Sequence, residues 1–93
     1  MRGLPLRLDL FLKQSRLVKR RALAKELCED GAVRVNGSAA RAGKEVTAGD
    51  LLSLRLWSRL LDLEIVHIPE RPPSKEEARK LFRILSEKRV EEP

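Results

Sequence analysis

The chain is poor in the residues that most small reactive or secreted domains depend on. Its 93 residues include one cysteine, one histidine, one tryptophan, two phenylalanines and no tyrosine. A single cysteine, Cys28, excludes an internal disulfide and with it a disulfide framework; a thiol kept reduced in the cytoplasm is the expectation. A single histidine, His67, has no companion at metal-ligand spacing and no nucleophile beside it. Asp9, Asp50 and Asp62 show no paired-carboxylate spacing, and no glycine-rich phosphate loop is present. These absences speak against catalysis, and neither a cofactor nor a metal is expected. No apolar run approaches the ~20 residues of a membrane span. Arg7, Asp9 and Lys13 interrupt every stretch that could serve as a secretory signal. Cleavage of an N-terminal targeting segment would cut into the first folded elements, so a cytoplasmic protein is expected.

What the chain has in quantity is charge, at 37% of residues, with a net charge of +6. The excess is not spread evenly. Residues 1–25 carry Arg2, Arg7, Lys13, Arg16, Lys19, Arg20, Arg21 and Lys25 against one acid, Asp9, whereas the remainder is nearly balanced. A positive field concentrated in one segment attracts a polyanion, and nucleic acid is the commonest. A solvated, solubilising face is the plainer alternative, but such faces normally intersperse acids among the bases. With aromatics at 3%, the core must be built from Leu, Val, Ile and Ala. A chain this short forms one domain with a modest core.

The apolar pattern predicts an α+β domain: two helices, a small antiparallel sheet, then a helix. Leu8, Phe11 and Leu12 recur at helical spacing, with Asp9 in the first turn where the helix dipole favours an acid. That helix should end near Ser15. A second helix is expected over residues 19–30, with Leu23 and Leu27 paired on one side, Ala24 and Cys28 on another, and Gly31 as its stop. The period then changes to two. Val33 and Val35 alternate with polar neighbours, Asn36-Gly37 makes a tight turn, and a short return strand follows within residues 38–44. Ala48-Gly49-Asp50 marks another turn. Leu52, Leu54 and Leu56 form one half-buried strand, and Leu61, Leu63 and Ile65 a second. A proline-rich linker over 69–73 separates this unit, 7–68, from a last helix expected over 74–90. There Ser74 and Glu77 form a capping box, and Ala78, Leu81, Phe82 and Leu85 share a stripe. The final Glu-Glu-Pro should fray.

The basic residues make the candidate site. Arg21 and Lys25 lie four apart and project from one side of the second helix, away from Leu23 and Leu27. Lys19, Arg20 and Arg21 crowd its start, where three cations oppose the helix dipole; bound phosphates would relieve that conflict. Arg20 points nearer the apolar side and could pack its stem there. Arg7, Lys13 and Arg16 extend the patch from the preceding segment. The candidate RNA-binding set is therefore Arg7, Lys13, Arg16, Lys19, Arg20, Arg21 and Lys25.

Those residues, taken together, resemble a known family. The pattern Arg7-Leu8-Asp9, Phe11-Leu12, Ser15-Arg16-Leu17-Val18-Lys19-Arg20-Arg21, Ala24, Gly31, Val33, Val35-Asn36-Gly37 and Gly49-Asp50 is similar to the S4 RNA-binding domain across about residues 7–56. The resemblance implies the S4-type (alpha-L) fold: two N-terminal helices packed on a small antiparallel sheet, plus a C-terminal helix. Among S4 proteins the chain is similar to the stand-alone RqcP family of bacterial ribosome-associated quality control, including its Lys75-Glu76-Glu77-Ala78 tail. The resemblance implies binding to obstructed large ribosomal subunits carrying peptidyl-tRNA. It implies contacts to large-subunit ribosomal RNA and to tRNA, and support of alanine tailing with an RqcH-like factor. It marks Arg7 and Arg21 as RNA-contacting positions. Arg2 lies on a short extension before the family's usual start. A monomer with no membrane partner is expected.

Three rivals stand beside this reading. One is a heat-shock-type S4 protein that recycles stalled large subunits without tailing. The second is an RNA-modifying enzyme or a piece of one. The last is a protein adaptor working through the final helix. Of the remaining residues, Cys28 is read as a packed thiol and His67 as a strand-end residue. Trp57 is read as a lid on the core in preference to a base-stacking platform.

Overall fold

Leu8, Phe11 and Leu12 are all fully buried, and the helix that carries them, α1, runs Leu8–Gln14 after a two-residue strand, β1 (Leu6–Arg7). This architecture comes from a computed structural model that describes residues 4–89; Arg2, Val90 and the terminal Glu-Glu-Pro lie outside the described residues. The start of α1 is capped by backbone. Leu8 N–H donates to Lys44 O at 2.8 Å and Asp9 N–H to Ala42 O at 3.1 Å, which satisfies donors that a helix start leaves open. At the other end Ser15 Oγ donates to Leu12 O. Arg16 then adopts a left-handed backbone, φ 63°, and Val18 N–H closes back onto Leu12 O.

The second helix, α2, spans Arg21–Glu29. Ala24 and Cys28 form its buried stripe, with Leu23 and Leu27 half-buried against the same core. It stops where expected. Gly31 takes φ 76°, and the N–H groups of Gly31 and Ala32 donate to Cys28 O and Leu27 O, the paired bonds of a glycine-terminated helix.

Four strands follow: β2 (Val33–Val35), β3 (Ser38–Ala39), β4 (Glu45–Val46) and β5 (Leu51–Leu56). Then come β6 (Arg59–Ile65), a one-turn helix α3 (Lys75–Ala78), a 3-10 turn (Arg79–Leu81) and β7 (Phe82–Arg89). The main sheet is antiparallel in the order β3-β2-β5-β6-β7, and β1 pairs with β4 in a separate two-stranded ribbon. Leu52, Leu54 and Leu56 of β5, with Leu61, Leu63 and Ile65 of β6, all face the core, so the period-two pattern reads correctly. Asn36 and Gly37, at φ 52° and 88°, make the tight turn between β2 and β3. Asn36 does more than turn the chain: its Oδ1 accepts from Leu51 N–H at 2.9 Å and its Nδ2 donates to Asp50 Oδ1 at 3.3 Å.

Two expectations need correction. The last helix does not extend over 74–90. Its capping box forms, with Glu77 N–H on Ser74 Oγ and Ser74 N–H on Glu77 Oε1, each 3.2 Å, but the helix ends at Ala78. From Phe82 the chain is extended and pairs along β6, from Ile65↔Phe82 to Arg59↔Arg89. The reason is long-range. Without β7, β6 would present an open row of backbone donors and acceptors at the sheet edge. The supposed stripe also breaks up: Ala78 and Leu81 are buried while Leu85 is exposed. A register shift at Asp62/Leu63 places Ser86 opposite Asp62 and Ile84 opposite Leu63, so Leu85 is the extra residue of a bulge. The second correction is Trp57, which is 79% exposed at the β5–β6 turn and covers no part of the core.

Candidate nucleic-acid interface

The local geometry of the site begins with a carboxylate. Asp9 sits in the first turn of α1 and is fully buried. Its Oδ1 accepts from Leu10 N–H at 2.9 Å and from Arg7 Nε at 3.2 Å; its Oδ2 accepts from Arg21 Nε at 3.1 Å and, at 3.5 Å, from the outer guanidinium of Arg7. One buried acid therefore holds two arginines from different elements, β1 and the start of α2. Burial pushes the Asp9 carboxyl up, but the hydrogen bonds and charges of Arg21 and Arg7 outweigh it and hold the carboxyl below its usual range. The two arginine side chains remain 49% and 43% exposed. Each uses its Nε on Asp9 and keeps most of its planar fork for other partners, a geometry suited to phosphate. The Arg7 guanidinium also lies close to Gly43, where an added Cβ would sit 3.8 Å from it.

The other cations divide into groups. Lys13, Arg16 and Lys19 line an open cleft of about 260 Å³ together with Pro72 and Pro73. All three are exposed, and the left-handed turn at Arg16 brings the end of α1 round to Lys19. Lys25 is exposed one turn beyond Arg21 on α2. Arg20 occupies the N-cap position of α2 in extended conformation and is exposed. The structure thus brings Arg7 and Arg21 together on Asp9 and gathers Lys13, Arg16 and Lys19 around the cleft. Lys25 continues the first group along α2.

Sequence reasoning missed the role of Asp9. It read the residue as a helix-dipole partner, whereas the side chain is the anchor of the two arginines. A clue was present: an acid with no other acid near it, two residues from Arg7, in a segment otherwise basic. Cys28 is buried and its thiol is pushed up to about 11, by burial first and then by the charges of Asp9 and Glu29. Among the described residues, no group of three or more His, Cys, Asp or Glu side chains could hold a metal ion. No described helix is long and apolar enough to cross a membrane.

Comparison with known proteins shows the family. Residues 6–52 match the S4 domain, the stretch that contains Asp9 and all seven candidate cations. The chain is 47% identical to the RQC P-site tRNA stabilizing factor of Halalkalibacterium halodurans, covering 91% of this chain and 96% of that one. It is 40% identical to the factor of the same name from Bacillus subtilis, covering 94% of this chain and all of that one. Among solved structures, the trimeric heat shock protein 15 of Vibrio cholerae superposes with a TM-score of 0.83 at 31% identity, over 89% of this chain and 84% of that one. With the S4 motif, its fold and near full-length similarity all in place, the chain belongs to the S4 domain proteins and, within them, to the family of the RQC P-site tRNA stabilizing factors.

Proposed function

We propose that this protein is a non-enzymatic RNA-binding factor of ribosome-associated quality control. In this reading it binds obstructed large ribosomal subunits that carry peptidyl-tRNA, touching both ribosomal RNA and tRNA. It supports alanine tailing of the stalled chain together with an RqcH-like factor. The observation that carries it is the Asp9 clamp. Two half-exposed guanidinium groups are fixed side by side, most of their outer N–H groups free of Asp9, in a segment otherwise without acid. The names of the two relatives, both tRNA stabilizing factors, support the choice of tRNA as one partner. Arg7, Arg21 and Lys25 form one contact group and Lys13, Arg16 and Lys19 a second, with Arg20 between them. Residues 7–68 are the binding unit, and β7 completes its sheet. Recognition would follow backbone charge and RNA shape more than base sequence.

The test is co-sedimentation with large subunits bearing peptidyl-tRNA. Wild-type protein should pellet with them, and the double variant Arg7→Ala, Arg21→Ala, which melts lower because buried Asp9 loses both charged partners, should remain in the supernatant at a temperature where circular dichroism shows it folded. Equal sedimentation of both would place the binding face elsewhere. The close superposition on heat shock protein 15 favours one second reading, recycling of stalled large subunits without tailing. Loss of C-terminal alanine tails on deletion of the gene supports the first reading; intact tails support the second.

A further inference from the structure

The β5–β6 turn contains a feature that neither the fold nor the Asp9 clamp needs. Trp57 is 79% exposed, and its backbone is left-handed at φ 49°. Both properties are unfavourable at one position. A left-handed turn is where glycine is normally found, and a bulky aromatic residue there is an outlier. With most of its surface in solvent, Trp57 adds little to the core. The surroundings are cationic. Register places Arg59 opposite Leu56 and Arg89 opposite Arg59, so the two guanidinium groups share one face of the sheet, with Lys88, opposite Leu60, on the other. The Arg59 side chain is 61% exposed, and its partner Glu87 lies at 3.9 Å in an exposed pair, which a phosphate could displace. The turn is also distant from the clamp. Arg55 N–H donates to Ala32 O, just past the end of α2, so the tip projects beyond the opposite end of that helix from Arg21.

We infer that Trp57 is a stacking platform for an unpaired RNA base, flanked by Arg59 and Arg89 as phosphate contacts. It forms a second RNA contact separate from the Asp9 clamp, and this rests on the RNA-binding reading above. An exposed indole beside guanidinium groups is the combination that holds single-stranded RNA: the ring takes the base face, and the cations follow the backbone. A fully paired duplex hides its base faces, so the platform selects unpaired nucleotides.

The chain supplies its own probe, since Trp57 is its single tryptophan and tyrosine is absent. Titration of the full-length protein with oligoadenylate should quench its fluorescence, and titration with a fully paired RNA duplex should not. Trp57→Gly should melt a few degrees higher, because glycine relieves the left-handed strain. By anisotropy of labelled oligoadenylate it should bind roughly 5- to 150-fold more weakly, the effect of losing one stacked base. Trp57→Phe should keep most of the affinity. Saturation with oligoadenylate without quenching, or equal affinity of Trp57→Gly, overturns the platform. Failure of oligoadenylate to bind at all also overturns it. If Trp57→Gly changes nothing while Arg7→Ala, Arg21→Ala abolishes subunit binding, the platform alone fails. If the unchanged protein binds no subunit, both readings fail.

Discussion

Replacing Asp9 by asparagine keeps the shape of the buried side chain and removes its charge. In the native structure the carboxylate takes one backbone N–H and two guanidinium groups. Asparagine offers one acceptor oxygen, and its amide would turn a donor toward one of the two Nε–H groups. Hydrogen bonds to charged groups contribute about 1.5–3 kcal/mol each. Both arginines are about half exposed, so water replaces much of what they lose and the total is discounted to roughly 2 kcal/mol. For a domain of this size that lowers the melting temperature by about 8–16 °C, measured by thermal circular dichroism. RNA binding gives a sharper test. Asp9→Asn adds a net positive charge, so a site that worked by bulk charge alone would bind RNA more tightly. If Asp9 instead holds Arg7 and Arg21 ready for phosphate, the variant must order them on binding, and affinity should fall roughly tenfold. Unchanged or tighter binding by a folded Asp9→Asn protein would refute the clamp.

Two further outcomes follow from the same geometry. The folded Asp9 carboxyl is held below its usual value of 3.8. Its contribution is therefore complete above that pH and is lost as pH falls through the lower folded value. The stability gap between wild type and Asp9→Asn, measured by urea unfolding, should be full at neutral pH and shrink in acid; a gap constant down to strongly acidic pH would contradict the assignment. Cys28, buried with its thiol raised to about 11, should resist thiol reagents at neutral pH and react fully once urea unfolds the chain; fast labelling of the native protein would show the thiol to be accessible.

The parts of the fold that local physics determines were readable. Gly31 ends α2 because its left-handed backbone costs a glycine little. Asn36-Gly37 turns the chain for the same reason. The leucines of β5 and β6 alternate because each strand has one buried face. What the sequence concealed depends on contacts between distant residues. Phe82 to Arg89 can be drawn as a helical stripe or as a strand, and the open edge of β6, some twenty residues earlier in sequence, decides between them. The family resemblance implied a last helix, and one turn of it is present. Asp9 looked like a dipole partner because its second arginine is twelve residues away, brought alongside only when α1 packs on α2. A single Trp at a strand end reads as a lid on the core, and no local signal shows that the turn leaves the ring in solvent. Of the candidate cations, spacing grouped Arg21 with Lys25. The grouping of Lys13, Arg16 and Lys19 around a cleft needs the turn at Arg16 and the prolines that line the cleft with them.

The most direct measurement is the salt dependence of binding to large subunits for the wild type and for Arg7→Ala, Arg21→Ala. Removing one cation that neutralises a phosphate makes the slope of log affinity against log salt shallower by about 0.7–0.9, so removing two should flatten it by about 1.5. Parallel lines for the two proteins would mean that Arg7 and Arg21 meet no phosphate, and the clamp would then be a feature of the fold alone.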